Sequence, residues 1–286
     1  KLKLYGGFNH QVFWGNEQAA YGSNFDLHSV ETFFHVALGK TYGKNGIPRS
    51  KIGNQLGSID LGLEYDFENI KVMLYRQSLY DVGALSKLAN ISDGLNGLTI
   101  VNKNFDNDQN KFKWKKILVE FFYSKDQAGY PWSKPTKSGD EDYYNNFYYK
   151  DGWSYKGFGI GSPIITARND AKTGHAYKEA DYFINNRVIA GHIGILGSIA
   201  NIDFLTKVSY SRNYGTFGTS IYGNSTGPIR NPNIDNIFKP VNQFSFYLEG
   251  MKRLNNGYST GVASFLDQGN LLYDSFGLIL KIKKDF

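Results

Sequence analysis

Residues 272–286 read LYDSFGLILKIKKDF. Leu272, Phe276, Leu278, Leu280, Ile282 and Phe286 share one side of an extended chain, and Ser275, Gly277, Lys281 and Lys283 share the other. Successive side chains of a strand point to opposite faces, so this period of two predicts a strand with one apolar face, ending on an aromatic residue.

The pattern repeats upstream. Tyr258–Leu266 reads as a strand with the small residues Ser259, Gly261 and Ala263 on one side, and Asn255-Asn256-Gly257 joins it to the strand before. Asparagine and glycine tolerate the positive φ of a tight hairpin. That earlier strand sets Phe244, Phe246, Leu248 and Leu254 against Gln243, Ser245, Tyr247, Glu249 and Arg253. Ile59, Leu61, Leu63, Tyr65 and Phe67 alternate with Ser58, Asp60, Gly62, Glu64 and Asp66. After a turn at Glu68-Asn69, Ile70, Val72 and Leu74 alternate with Lys71, Met73 and Tyr75. Ile117, Val119, Phe121 and Tyr123 alternate with Lys116, Glu120 and Ser124. Ile189, Ile193, Ile195 and Ile199 alternate with His192, Gly194 and Ser198, and a turn at Ala200-Asn201 leads to Ile202, Phe204, Val208 and Tyr210. Strands are also read at 1–14, 29–39 and 94–102. Residues 79–90 (LYDVGALSKLAN) form the helical candidate, with Asp81 as its cap.

Composition agrees with an all-β chain. The 286 residues hold 32 glycines, 21 tyrosines and 21 phenylalanines but 7 prolines and no cysteine. Glycine and aromatics suit twisted strands and interfacial girdles. Mean hydropathy is −0.42, and no stretch approaches the roughly 18 apolar residues of a membrane helix. A transmembrane β-barrel passes unseen by such a scan, because only every second strand residue meets lipid.

Two features favour an outer-membrane barrel over a soluble sandwich. Mid-strand charges on the polar faces (Asp60, Glu64, Lys71, Glu120, Lys207, Glu249 and Arg253) suit a wet lumen. Connections are unequal: short at 68–69, 200–201 and 255–257, long at 15–28, 103–112, 125–142 and 214–240. Outer-membrane barrels pair short periplasmic turns with long external loops. The expected fold is a transmembrane antiparallel outer-membrane β-barrel, one domain over 1–286. Lys1 opens inside a strand, so a signal peptide and first strands are expected before it.

Chemistry-bearing motifs are few. Gly157-Phe158-Gly159-Ile160-Gly161 lacks the spacing and following helix of a dinucleotide loop and reads as a glycine-rich strand or bend. The histidines at 10, 28, 35, 175 and 192 are scattered, no G-x-S-x-G appears, and no spacing selects a catalytic carboxylate pair. No enzyme, metal or cofactor is expected. The net charge of +6 comes from dispersed lysines, which argues against nucleic acid and allows attraction to acidic lipopolysaccharide or polysaccharide. Residues 130–158 are rich in aromatics. Trp132, Tyr143, Tyr144, Tyr148, Tyr149 and Trp153 are the glycan-binding candidates, since flat rings stack on sugars while hydroxyls bond their edges. An interfacial girdle on two more strands, hinged at Asp151-Gly152, is the competing reading.

NNFYYKDGWSYKGFGIGSP (145–163), NNRVIAGHIGILGS (185–198), SRNYGTFG (211–218) and SDGLNGLTI (92–100) resemble the capsule assembly Wzi family as it occurs in Bacteroidota. The resemblance spans most of residues 54–286. It implies a barrel of about eighteen strands in the full-length protein, acting as a surface lectin that attaches or organises capsular polysaccharide. It carries over no catalytic residue. A channel for small solutes, or a structural subunit bound to other outer-membrane proteins, are the alternatives.

Overall fold

Alternation of apolar and polar residues folds into ten long strands, here numbered in chain order. They are β1 (Leu2–Phe13), β2 (Asn54–Asp66), β3 (Ile70–Asp81), β4 (Gly94–Asn102) and β5 (Phe112–Tyr123), then β6 (Val188–Ile199), β7 (Ile202–Asn213), β8 (Val241–Arg253), β9 (Tyr258–Gly269) and β10 (Ser275–Lys284). The computed structural model describes the chain except for residues 23–27, 44–49, 82–87, 108–109, 131–140, 224–230, 255–256 and 285–286. Trp132, Phe286 and the Asn255-Asn256 turn therefore lie outside the described residues.

Each strand pairs antiparallel with its sequence neighbour, giving one ten-stranded meander. Among the described residues no pairing joins β1 to β10, so the sheet is open. The registers align one row across all ten strands: Leu4, Leu63, Leu74, Leu98, Val119, Ile193, Val208, Phe246, Leu266 and Phe276. Every member is apolar. One residue along, on the opposite face, the row reads Tyr5, Gly62, Tyr75, Gly97, Glu120, His192, Ser209, Ser245, Asp267 and Ser275. The period of two read in each strand thus adds up to a sheet with one apolar and one polar face. The apolar face is uncovered: Leu4 is 72% exposed and Phe276 71%.

The connections sort by end. Residues 67–69, 103–111, 200–201 and 254–257 join strands at one end, and 14–53, 82–93, 124–187, 214–240 and 270–274 join them at the other. Ala200 and Asn201 both have positive φ (50° and 65°), the conformation of a two-residue hairpin turn that follows strand twist. The 103–112 segment, expected among the long loops, lies instead at the short-turn end.

Three further expectations need correction. Residues 29–39 are not a strand. They hold α2 (Val30–Ala37), because the Ser29 hydroxyl accepts from Thr32 N at 3.0 Å, and because Val30, Phe33, Phe34 and Ala37 recur at helical spacing. A shorter helix, α1 (Glu17–Tyr21), precedes it inside the expected 15–28 loop. Leu79, Tyr80 and Asp81 are the last residues of β3; residues 82–87 of that helical candidate lie outside the described residues. Finally, the two-residue strands Ser154–Tyr155 and Phe158–Gly159 pair across Lys156-Gly157, not Asp151-Gly152. Lys156 and Gly157 are the two residues with positive φ (49° and 86°), as a tight hairpin requires.

Candidate functional site: the loop-filled end of the sheet

The seven charged residues read as lining a lumen all fall on the polar face. Glu64 lies 3.0 Å from Lys3 Nζ and 3.8 Å from Lys71 Nζ. Glu249 accepts from Lys281 Nζ at 2.7 Å and from the Tyr247 hydroxyl. Glu120 accepts from the Tyr75 hydroxyl, and Asp60 from Asn9 Nδ2 at 2.7 Å. Lys207 sits 5.6 Å over the Tyr247 ring, and Arg253 reaches Asp203 at 4.0 Å. Most of these contacts join different strands in a half-wet setting, where solvent screens them. Their arrangement is an ionic and hydrogen-bonded lattice across the polar face.

At the long-loop end the polar face turns apolar, and segment 124–187 packs onto it. Phe13 of β1 meets Trp153 with ring centroids 4.1 Å apart. Phe13 and Leu56 join a cluster with Trp153, Ile165, Ala167 and Phe183. Phe122, Val188 and Ala190 form a second cluster, against which Leu79, Leu95 and Ile164 pack. On the far flank Ile184 packs with Ala171, Phe238, Leu271 and Val241. Phe183 and Ile184 are chain neighbours, yet their clusters include β2 on one side and β8 on the other. In a flat sheet those strands would stand roughly 29 Å apart, so the sheet curls around this segment, called the plug below.

Buried asparagines hold the plug. Asn145 takes both backbone groups of Phe183, donating Nδ2 to its carbonyl and accepting from its N–H, each at 2.9 Å. Asn185 Nδ2 donates to Asn213 Oδ1 at 3.0 Å and Asn185 Oδ1 accepts from Gly215 N at 3.1 Å. Asn186 Nδ2 donates to the Tyr143 carbonyl at 2.8 Å, while the Asn186 carbonyl accepts from Ser124 Oγ at 2.6 Å. Asp93, fully buried, accepts from Asp126 N (3.0 Å), Gln127 N (2.7 Å) and the Tyr143 hydroxyl (2.8 Å). Burial outweighs these bonds and pushes its carboxyl up to about 6. Burial raises Asp142 as well, aided by the nearby Asp181 charge.

This geometry sorts the aromatic candidates. Tyr143 is 0% exposed and Trp153 4%, and their rings are enclosed by Asp93 and Phe13 among others. Neither offers a face to a sugar, so both are corrected to plug residues. Tyr144 is half-buried, edge-on to Phe183 at 5.4 Å, with its hydroxyl accepting from Ser162 N at 2.8 Å. Tyr148 and Tyr149 sit at the rim: Tyr149 donates to Glu17 Oε2 at 2.7 Å, and the hydroxyls of Tyr148 and Tyr21 bond to each other. The exposed rings are others. Phe147 is 74% exposed with Lys150 Nζ 4.6 Å over it, and Tyr155 is 65% exposed with Lys156 Nζ 5.4 Å over it. Phe158, across the hairpin from Tyr155, is 78% exposed. Placing the turn at Lys156-Gly157 would have singled out its flanking residues as the exposed tip.

Fold and site together define a class: an antiparallel β-meander with an uncovered apolar face, a charged inner face and a loop plug at one end. The sequence matches no protein-family model, and it matches no curated protein.

Proposed function

We propose that this protein is a non-enzymatic outer-membrane β-barrel whose plugged end binds acidic surface polysaccharide, such as capsule. The observation that carries the membrane half of this reading is the unbroken apolar row across ten strands, opposite a row of tyrosine, serine, histidine and carboxylate. On β7 the apolar face runs from Ile202 to Tyr210, about 27 Å at roughly 3.4 Å per residue, which suits the thickness of an outer-membrane apolar band. The glycan half rests on the exposed rings of Phe147 and Tyr155, each with a lysine ammonium near it, and on Tyr148 next to Phe147. An exposed ring offers a stacking surface, and an ammonium beside it suits a carboxylate-bearing or sulfated sugar. The resemblance to the Wzi family supports the same reading.

A channel for small solutes is disfavoured by the plug, which covers the inner face at the loop end from β1 to β6. The test is to compare capsule retention on cells carrying the wild type with cells carrying Tyr148→Ala, Tyr155→Ala or Lys156→Ala, with conductance of the purified protein measured in planar bilayers. The reading expects weakened retention in each variant and no steady conductance. Unchanged retention together with ohmic conductance would establish the channel instead.

A further inference from the structure

The helix α2 divides its surface three ways. Thr32 and Val36, one turn apart, are buried. Glu31 and His35 form an i,i+4 pair at 3.7 Å. The remaining arc carries Val30, Phe33 and Phe34, continued by Leu38, and all four are exposed: 71%, 54%, 52% and 60%. Apolar side chains on an exposed arc of a two-turn helix need a partner, because water gains nothing by wetting them.

The place of the helix in the fold says which partner. Val36 packs with Tyr42 and Ile52 against Val12, and a ring nitrogen of His10 lies 3.5 Å from the Val36 carbonyl. Val12 and His10 are even-numbered positions of β1, on the face that carries Leu2, Leu4 and Phe8. The helix therefore stands outside the sheet wall, on the apolar side, at the loop end and directly beyond Phe8. The plug occupies the other face. An exposed apolar arc here continues the surface of the apolar row, with the Glu31–His35 pair beside it. This is the layout of a helix lying in a membrane interface, with its apolar arc among acyl chains and its polar arc in water.

We propose that α2 is an interfacial membrane helix whose Val30, Phe33, Phe34 and Leu38 insert into the lipid surface around the loop end of the sheet. The proposal rests on the reading that the apolar row faces lipid. Residues 1–286 contain no cysteine, so single-cysteine variants of them can be spin-labelled without background. Val30→Cys, Phe33→Cys, Glu31→Cys and Leu74→Cys would be labelled and reconstituted in phosphatidylethanolamine–phosphatidylglycerol vesicles. Collision with oxygen, which concentrates in lipid, would be compared with collision with a water-soluble nickel chelate. Expected is an oxygen-to-nickel ratio several-fold higher at positions 30 and 33 than at 31, at a depth of about 5–10 Å, with Leu74→Cys deeper still. If positions 30 and 33 match 31 while 74 reports lipid, the helix proposal fails and the barrel reading stands. If both reagents are excluded at 30 and 33, a second copy or another protein covers the arc, and the proposal fails likewise. If position 74 also reports water, the membrane reading fails and takes the helix proposal with it.

Discussion

A Cβ added at Gly97 would stand 2.0 Å from Cζ of Tyr75, its cross-strand partner on the polar face. The bare backbone lets the Tyr75 ring lie across β4 and donate to Glu120 on the next strand. Phe265 covers Gly277 in the same way. Such glycines trade a side chain for a neighbour's ring. Gly97→Val should expel the Tyr75 ring, break its bond to Glu120 and lower stability by about 1–3 kcal/mol, read as a fall in the denaturation midpoint. Asp93 sets a pH dependence. Its folded value of about 6 lies above the roughly 3.9 of an unfolded aspartate. Below pH ~4 both states hold the proton. Between about 4 and 6 the unfolded chain releases it while the folded site retains it, so stability falls as pH rises through that window. Asp142, raised in the same direction, adds to the effect. The amides of Asp126 and Gln127 should therefore be better protected from hydrogen exchange at pH 5 than at pH 7, after correction for intrinsic rates. Greater protection at pH 7 would show that Asp93 ionises freely in the plug.

Among the elements, the plug stands on side chains that imitate backbone. Replacing Asn145 by alanine would strand the N–H and C=O of Phe183, each unmet buried group costing about 1–3 kcal/mol. Limited proteolysis should then cut within 141–165 in Asn145→Ala while the strands stay intact; equal resistance to the wild type would mean the plug is held by its apolar clusters alone. Physical reasons separate what the sequence disclosed from what it hid. Long strands such as β2 and β8 were legible because one buried or lipid-type face forces strict alternation over many residues. The α2 segment is ambiguous in sequence because Val30, Thr32, Phe34 and Val36 alternate as in a strand, while the Ser29 cap and the apolar 30/33/34/37 spacing signal a helix. The polar-face charges were legible for the same reason as the strands. The plug was not, because its contacts join residues far apart: nothing near Trp153 indicates that Phe13 will cover it. Aromatic richness marks residues 130–158 in the sequence, but only the tertiary packing separates Tyr143 and Trp153, which are buried in the plug, from Phe147 and Tyr155, which it exposes.

At the scale of the molecule, the central claim is that the ten-residue apolar row meets lipid while the polar row does not. Such a face could in principle be hidden by lipid or by protein, and simple loss of stability on inserting a charge there would not tell the two apart. Contact with lipid itself must be read. The most direct measurement places a bimane fluorophore at single cysteines along β3, at Lys71, Val72, Met73, Leu74 and Tyr75, in vesicles with nitroxide-bearing acyl chains. The account expects quenching to alternate, strong at 72 and 74 and weak at 71, 73 and 75. Uniform weak quenching at all five positions, with the protein folded, would contradict it.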